Sequence, residues 1–312
     1  MPLDPVARAI MDRIGASNAP PFHQLTPEQA RAAFESFRAL DGHKGADVAS
    51  IQEVQIADVP CALITPIEVV ANGLIVYFHG GGWVLGTLES FTPTCKDLAT
   101  ASSLPVLLVD YRLAPEHPFP TPFFDALTVV DALLNGEAGL DVDPKKLIVA
   151  GDSAGGNLAA VVAVERPNLC FQALIYPVTD GQMATESYRT CSEGYFLTSN
   201  TMAWFFDHYT TEEQRLDPRV SPLRYDEELL STAPPALIAI AGYDPLADEG
   251  LAYARRLIEA GVDVELAVYE SQMHGFFQLG GLVEDARSLM RLVGHSARMA
   301  IEGIHHSNEA LP

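Results

Sequence analysis

The stretch Gly151-Asp152-Ser153-Ala154-Gly155 constrains the fold of this 312-residue chain more than any other. A short apolar run, Leu147–Ala150, precedes it, and small residues and helix formers follow it. A buried strand, a Gly-x-Ser-x-Gly turn and a helix together form the setting of a nucleophile elbow. Gly151 and Gly155 fit this setting, because so tight a turn leaves no room for side chains. The pattern predicts Ser153 on a strained corner with its hydroxyl exposed, although an ordinary turn holding a serine stays an alternative on these residues alone.

Apolar runs and helical patterns alternate along most of the chain. The continuous apolar runs predict strands buried on both faces: Leu74–Phe78, Val106–Val109, Leu147–Ala150, Ala173–Tyr176, Ala236–Ala241 and Val264–Tyr269. Helical patterns cover Phe123–Leu134 and lie near residues 246–260 and 282–301, while Ile51–Ile56 and Cys61–Ile67 predict a hairpin-like pair. This alternation predicts an α/β fold with a mostly parallel central sheet covered by helices.

Two segments depart from this rhythm. Residues 1–45 predict two helices, the second capped by Thr26, and residues 181–232 form an insertion. The N-terminal helices fit either simple packing on the main domain, residues 46–312, or a cap over a site. The aromatic residues of the insertion fit a small local core better than a substrate wall: Tyr195, Phe196, Trp204, Phe205, Phe206 and Tyr209. The tail after Ile301 is predicted to be solvated.

Composition excludes several classes of function. The net charge is −22, which argues against nucleic acid and anionic membrane surfaces as partners. No apolar run approaches the roughly 20 residues of a membrane span. The first residues, Met1-Pro2-Leu3-Asp4, lack a basic segment followed by an apolar one, so we expect no signal peptide and a cytoplasmic location. Four widely spaced cysteines predict small core residues rather than disulfides or a metal site: Cys61, Cys95, Cys170 and Cys191.

A serine hydroxyl is a weak nucleophile unless a neighbouring base takes its proton. His274 is the best-placed candidate, because it follows the last predicted strand, where loops reach the carboxyl edge of the sheet. The base needs a carboxylate to orient it, and Asp244 follows the strand Ala236–Ala241. Asp244 also fits a helix N-cap before Pro245, and Asp248 is a rival acid. We favour Asp244, since Asp248 is predicted to lie about one turn inside the next helix.

Acyl transfer also needs backbone N–H groups that stabilise an oxyanion. His79-Gly80-Gly81-Gly82 ends a buried strand, where glycines let the backbone approach a substrate closely. The predicted donors are the amides of Gly81 and Gly82, together with that of Ala154 after the candidate nucleophile. A glycine run alone is more typical of a flexible loop, and its position directly after a strand supports the functional interpretation.

These motifs together resemble the bacterial hormone-sensitive-lipase-like esterases of the α/β-hydrolase fold. The resemblance spans about residues 50–300 and includes five motifs: His79–Trp83, Asp110–Glu116, Gly151–Asn157, Asp244–Glu249 and His274–Phe276. It implies Ser153 as nucleophile, His274 as base and Asp244 as acid. It further implies a mobile cap formed by the N-terminal helices with part of the insertion, above a catalytic domain. Hydrolysis of carboxylic esters, mostly with short acyl chains, without a cofactor or metal, follows from the same resemblance.

Other functions use the same residues. An amidase or a deacetylase of a metabolite would share the machinery, and some relatives of this fold are ligand-binding receptors that lack a catalytic residue. Since Ser153, Asp244 and His274 are all present, we favour a carboxylesterase acting on short- to medium-chain esters of small molecules. The sequence leaves the natural substrate and the oligomeric state open, a homodimer being one alternative.

Overall fold

The computed structural model describes residues 1–17, 19–38 and 42–303. Its strands are β1 (Ser50–Ile56), β2 (Val59–Thr65), β3 (Leu74–Phe78), β4 (Val106–Val109), β5 (Leu147–Asp152), β6 (Phe171–Ile175), β7 (Ala236–Tyr243) and β8 (Val264–Met273). They form one sheet in the order β1-β2-β4-β3-β5-β6-β7-β8. β2 pairs antiparallel with β1, as the predicted hairpin requires, and also with β4, and every other pairing is parallel. The predicted α/β class and mostly parallel sheet are confirmed.

Helices cover both faces of this sheet. They are α1 (Pro5–Ala16), α2 (Pro27–Arg38), α3 (Leu88–Ser102), α4 (Thr121–Leu134), α5 (Ala154–Glu165), α6 (Glu186–Thr190), α7 (Ser199–Tyr209), α8 (Glu227–Leu230), α9 (Ala247–Glu259) and α10 (Glu284–Ile301). α3 packs against α10, and α4 packs against α5. Gly294 lets α10 approach α3 closely, because a Cβ there would lie 2.6 Å from the Ala101 carbonyl carbon. The strands β3 to β6 are therefore buried along their whole length, as continuous apolar runs predict.

The last strand is longer than its apolar run. β8 continues four residues past the predicted end at Tyr269, because its pairing with β7 resumes after an irregularity and joins Tyr243 to Met273. Polar residues in this extension hide the strand from a hydrophobicity pattern. The extension carries the chain to His274, at the carboxyl edge of the sheet where β5 also ends.

The N-terminal helices are anchored by polar contacts to the main domain. Arg31 of α2 donates to the carbonyl oxygens of Val84 and Ala114, each at 2.9 Å. Its guanidinium also forms two hydrogen bonds with Glu116, which hold the pKa of that carboxyl down at about 2. The motif that contains Glu116 therefore serves as a docking point for α2.

The insertion contributes both to a local core and to a pocket. Tyr209 stacks on Trp83 with ring centroids 4.3 Å apart, and Phe206 packs on the same indole at 5.4 Å. The prediction of a local core is right for these residues. Phe205 is also buried in the core, but it and the half-buried Phe196 line the pocket above the candidate nucleophile as well.

All four cysteines are free, and Cys170 alone among them is only half-buried, in agreement with their predicted role as small core residues. The predicted solvated tail, with His305 and His306, lies outside the described residues from 304 onward. In the part of the chain that is described, no helix combines the length and the apolar character needed to cross a membrane.

Candidate active site

The turn between β5 and α5 holds Ser153 in a strained backbone conformation. Its φ is +55° and its ψ is −118°, a region that favours glycine. The turn is closed by a near contact of backbones, since a Cβ on Gly155 would lie 1.9 Å from the Phe78 carbonyl oxygen. The predicted need for glycine here is confirmed. The predicted exposure of the hydroxyl is wrong: Ser153 is only 7% exposed, because residues of the N-terminal segment and the insertion, such as Phe22 and Phe205, line the pocket over it.

The structure brings Ser153, His274 and Asp244 into one hydrogen-bonded row. His274 Nε2 lies 3.0 Å from Ser153 Oγ, and His274 Nδ1 lies 2.6 Å from Asp244 Oδ2. With the proton on Nδ1, the imidazole donates to the carboxylate and accepts from the serine hydroxyl. Asp244 is fully buried and His274 is 6% exposed, so bulk water does not compete for these bonds. This geometry can remove the serine proton during attack on a carbonyl carbon.

The two candidate acids have different partners. Asp244 Oδ1 accepts from the Leu246 amide at 2.9 Å, so the local turn suggested by Pro245 and the bond to His274 coexist on its two oxygens. Asp248 lies in the first turn of α9, nearer the helix start than predicted. Its Oδ2 accepts from the Ser187 amide at 2.8 Å, which links α9 to the insertion. Asp244 is therefore the carboxylate that orients the imidazole.

The glycine run after β3 presents backbone amides beside Ser153. Gly81 and Gly82 line the same pocket as Ser153 and have φ values of +109° and +60°. Among the described residues, neither these two amides nor the Ala154 amide donates a hydrogen bond to a backbone acceptor in a turn, loop or cap. Free donors beside a nucleophile match the requirement of an oxyanion site. A Cβ on Gly82 would lie 2.2 Å from the ring of Phe205, so a larger residue would not fit here.

His79 supports this run from beneath. Its ring stacks between Phe91 and Tyr111, with centroids 4.9 and 4.4 Å away, and its Nδ1 donates to the Gly80 carbonyl oxygen at 2.7 Å. Burial lowers the pKa of His79 to about 4, so the ring is neutral near pH 7. His79 is therefore a structural element of the loop and does not compete with His274 as a base.

Two polar residues beside Ser153, Asp152 and Gln278, were not predicted from the sequence to have a role. The carboxylate of Asp152 is fully buried and accepts from the Tyr77 hydroxyl at 2.7 Å and from the Gly80 amide at 3.0 Å. Its second oxygen accepts from the Gln278 side-chain amide. A charged residue inside a buried turn was a signal for Asp152, because such a group needs partners. No sequence pattern pointed to Gln278, whose contact depends on the tertiary fold.

Two cavities meet above Ser153. A space of about 40 Å³ adjoins Ser153, His274, Gly81 and Gly82. A larger space of about 580 Å³ lies between the N-terminal helices and the insertion. The two share three lining residues, Phe22, Phe196 and Thr201. Of the aromatic residues in the insertion, Trp204 and Phe206 line neither space, in agreement with the favoured prediction of a local core.

Comparisons with known proteins point to one family. The family model described as alpha/beta hydrolase fold matches residues 75–278. The chain is 37% identical to an ethyl acetate hydrolase of Pseudomonas putida, over 92% of this chain and 95% of the relative. It is 36% identical to a carboxylesterase of Mycobacterium tuberculosis, over 74% and 75% of the two chains. A hyperthermophilic esterase from Pyrobaculum calidifontis has a similar structure, with a TM-score of 0.91, 34% identity and 96% and 100% coverage.

Proposed function

Because this chain belongs to the hormone-sensitive-lipase-like esterases of the α/β-hydrolase fold and is a carboxylic ester hydrolase, we propose that Ser153, His274 and Asp244 carry out its reaction. The observation that carries the proposal is the continuous row from Asp244 through His274 to Ser153, with bonds of 2.6 and 3.0 Å. Free amides at Gly81, Gly82 and Ala154 complete the set of groups that ester cleavage needs.

Acylation begins when Ser153 Oγ attacks the ester carbonyl carbon. The hydroxyl proton moves to His274 Nε2 while the carbonyl π electrons move to oxygen, and the three amides stabilise that oxyanion. Asp244 stabilises the imidazolium that forms. When the carbonyl re-forms, the bond to the alkoxy group breaks and the proton on Nε2 passes to the departing alcohol. An acyl group is then bound to Ser153.

Deacylation repeats these steps with water. His274 Nε2 takes one proton from a water molecule while the water oxygen bonds to the acyl carbon. Collapse of the second oxyanion breaks the bond to Ser153 Oγ, which recovers the proton from Nε2. The products are one carboxylic acid and one alcohol for each ester and water consumed, so no cofactor is required by this balance.

The proposal is tested by replacing the nucleophile and the base. Ser153→Ala and His274→Ala should each lower the kcat for a p-nitrophenyl ester on the order of 10³-fold or more, because the three groups act as a unit. Circular dichroism should remain that of the parent protein. Near-parental turnover in either variant would refute the assignment. Loss of activity together with loss of the folded spectrum would instead require His274→Gln, which leaves the fold less disturbed.

The cavities support esters with a small group next to the reacting carbon. About 40 Å³ beside Ser153 holds only a few water-sized groups, which is about the size of a short acyl chain. The adjoining larger space, lined mostly by apolar residues such as Ile10, Met11 and Phe37, fits a larger apolar part of the substrate. We therefore propose short- to medium-chain esters as substrates. A series of p-nitrophenyl esters from acetate to laurate should show highest kcat/KM below about eight acyl carbons.

The alternatives are distinguished by turnover. An amidase or metabolite deacetylase would share the triad but prefer the corresponding amide or N-acetyl substrate in direct competition with an ester. A ligand-binding receptor would bind an ester without Ser153-dependent hydrolysis. The names of the relatives, an ethyl acetate hydrolase and a carboxylesterase, favour the ester.

Location and assembly remain part of the proposal. We propose a cytoplasmic location and a homodimeric assembly. Cell fractionation and light scattering of the purified protein test these two points separately from the chemistry.

A further inference from the structure

We propose that Asp152 and Gln278 act together as positioning residues. They hold the oxyanion loop (residues 79–82) and the His274 loop (residues 274–278) in fixed positions on either side of Ser153. This role rests on the proposed function and adds two residues that do not react with substrate. It concerns the relative placement of groups that belong to three separate loops. A shift of about 1 Å between such groups costs up to about 100-fold in rate.

The carboxylate of Asp152 is the point at which the three loops meet. Asp152 directly precedes Ser153, and its Oδ1 accepts from the Gly80 amide at 3.0 Å, one residue before Gly81. Its Oδ2 accepts from the side-chain amide of Gln278, which lies four residues after His274. Any movement of the oxyanion loop against the His274 loop therefore breaks a bond to the same buried group.

The contact is too close to be adjusted by small rearrangements. Asp152 is fully buried and Gln278 is 9% exposed, so water offers little replacement for either bond. A Cβ on Gly80 would lie 2.4 Å from Asp152 Oδ2, which shows how closely the loop rests on the carboxylate. The hydroxyl of Tyr77 donates to Oδ1 at 2.7 Å and fixes the side chain from the β3 side.

Three neutral donors stabilise the buried carboxylate of Asp152. Burial raises the pKa of Asp152, while the hydrogen bonds from Tyr77, Gln278 and Gly80 oppose that shift. A buried carboxyl group that loses one donor pays an uncompensated desolvation cost, so the side chain or its loop moves to find another partner. Removing the Gln278 amide should therefore displace the carboxylate and, with it, the Gly80 amide.

The N-terminal helices contact the same network. Arg38 at the end of α2 donates to the Gln278 carbonyl oxygen at 2.9 Å and to the Ser90 carbonyl oxygen at 3.1 Å. Through these bonds the backbone of Gln278 is held from one side while its side chain holds Asp152 from the other. The network thus extends from α2 to the oxyanion loop.

The first experiment compares two buried glutamines. Gln278→Met removes the donor to Asp152, and Gln172→Met is the matched control, because Gln172 is fully buried and donates to the Pro234 carbonyl oxygen at the opposite edge of the sheet. We expect Gln278→Met to lower kcat ten- to 100-fold with KM within about twofold. Affinity for a trifluoromethyl ketone, which mimics the oxyanion, should fall by the same factor as kcat/KM. Gln172→Met should change Tm comparably and leave kcat within twofold.

The second experiment keeps the shape of the network and removes its charge. In Asp152→Asn, one oxygen still accepts from Tyr77 and Gly80, and the new amide can pair with Gln278 once the Gln278 amide turns over. We expect a smaller loss of kcat than in Gln278→Met. In the double variant the losses should be non-additive, since both changes act on the same contact.

Clear results would overturn the proposal. An unchanged kcat in Gln278→Met, an equal loss in Gln172→Met, or a loss confined to KM would each assign Gln278 a different role. Additive losses in the double variant would separate Asp152 from Gln278. Parental activity in Ser153→Ala would instead refute the proposed function itself, so the two failures are distinguishable.

Discussion

The hydroxyl of Ser187 donates to the carbonyl oxygen of Pro245 at 2.6 Å, one residue after Asp244. Ser187 Oγ also accepts a hydrogen bond from the Asp248 amide at 3.2 Å, and the Ser187 amide donates to Asp248 Oδ2. The insertion therefore binds the segment that carries the proposed catalytic carboxylate. Asp248 has a structural partner in this arrangement, which separates its role from that of Asp244.

Replacing each acid in turn tests this separation. Asp244→Asn should lower kcat about 10⁴-fold, by analogy with triads in which the orienting carboxylate was replaced. Asp248→Asn should lower kcat less than about tenfold, because the remaining side-chain oxygen still accepts from the Ser187 amide. Steady-state kinetics on a p-nitrophenyl ester measure both. A larger loss in Asp248→Asn than in Asp244→Asn would show that the wrong acid was assigned.

Phe196 should control the acyl-chain preference. Its ring lies 3.2 Å from the position of a Cβ on Gly275, directly after His274, and it lines both cavities, as Phe22 does. Phe196→Ala should join the cavities and move the optimum to longer esters. Each further buried methylene contributes about 0.8 kcal/mol, or about fourfold in kcat/KM.

The control for this change is Phe37→Ala. Phe37 stacks on Phe196 with centroids 4.7 Å apart but lines only the larger cavity. It should lose binding of long esters without moving the optimum. An identical chain-length profile in Phe196→Ala and the parent would contradict a gating role for Phe196.

The buried carboxyl group of Glu249 should make stability depend on pH. Glu249 is fully buried, and its Oε1 accepts from the amides of Thr179 and Asp180 at 2.7 and 3.2 Å. Burial raises the pKa of Glu249 well above its ordinary value of 4.5. The group therefore favours folding fully below about pH 4.5, and this contribution is lost as the pH rises through the folded-state pKa.

Glu249→Gln removes this titration and keeps the acceptor oxygen. Between the unfolded-state and folded-state pKa values, the parent should lose about 1.4 kcal/mol per pH unit relative to the variant. Urea denaturation at several pH values between 4 and 9 measures the difference. A constant difference across this range would show that Glu249 has the same protonation state in both forms of the chain.

The sequence predicted the features that depend on local pattern. Continuous apolar runs identified the central strands, and the glycines around Ser153 identified a turn that has no room for a Cβ. The chain order of Ser153, Asp244 and His274 was sufficient to propose the triad, because each follows a strand whose carboxyl end lies at one edge of the sheet.

The sequence did not predict features that depend on packing between distant segments. The N-terminal helices fitted either packing on the main domain or a cap over a site, and only the structure shows that Ile10 and Met11 line a cavity. An aromatic cluster has the same composition whether it fills a core, as Phe206 does, or covers a site, as Phe205 does. The bond between Gln278 and Asp152 joins residues 126 positions apart, and no local signal marks it.

The backbone of Ser153 allows a direct measurement of its strain. Ser153→Gly and Ser153→Ala both remove the hydroxyl, and only glycine adopts a φ of +55° with a ψ of −118° without strain. After the greater flexibility of glycine in the unfolded chain is included, Ser153→Gly should be more stable than Ser153→Ala by about 1 kcal/mol. Urea denaturation of the two variants checks this, and equal stabilities would show that the turn is unstrained.

Catalysis and folding stability therefore favour different residues at position 153. Catalysis needs a serine side chain at a position whose backbone dihedral angles favour glycine. The rest of the fold must compensate for the stability that this strain costs. A variant of this chain that is selected only for stability would gain from the replacement of Ser153 by glycine. We would then expect the nucleophile to be lost before His274 or Asp244. The pocket would keep its imidazole, which would have no serine hydroxyl to deprotonate.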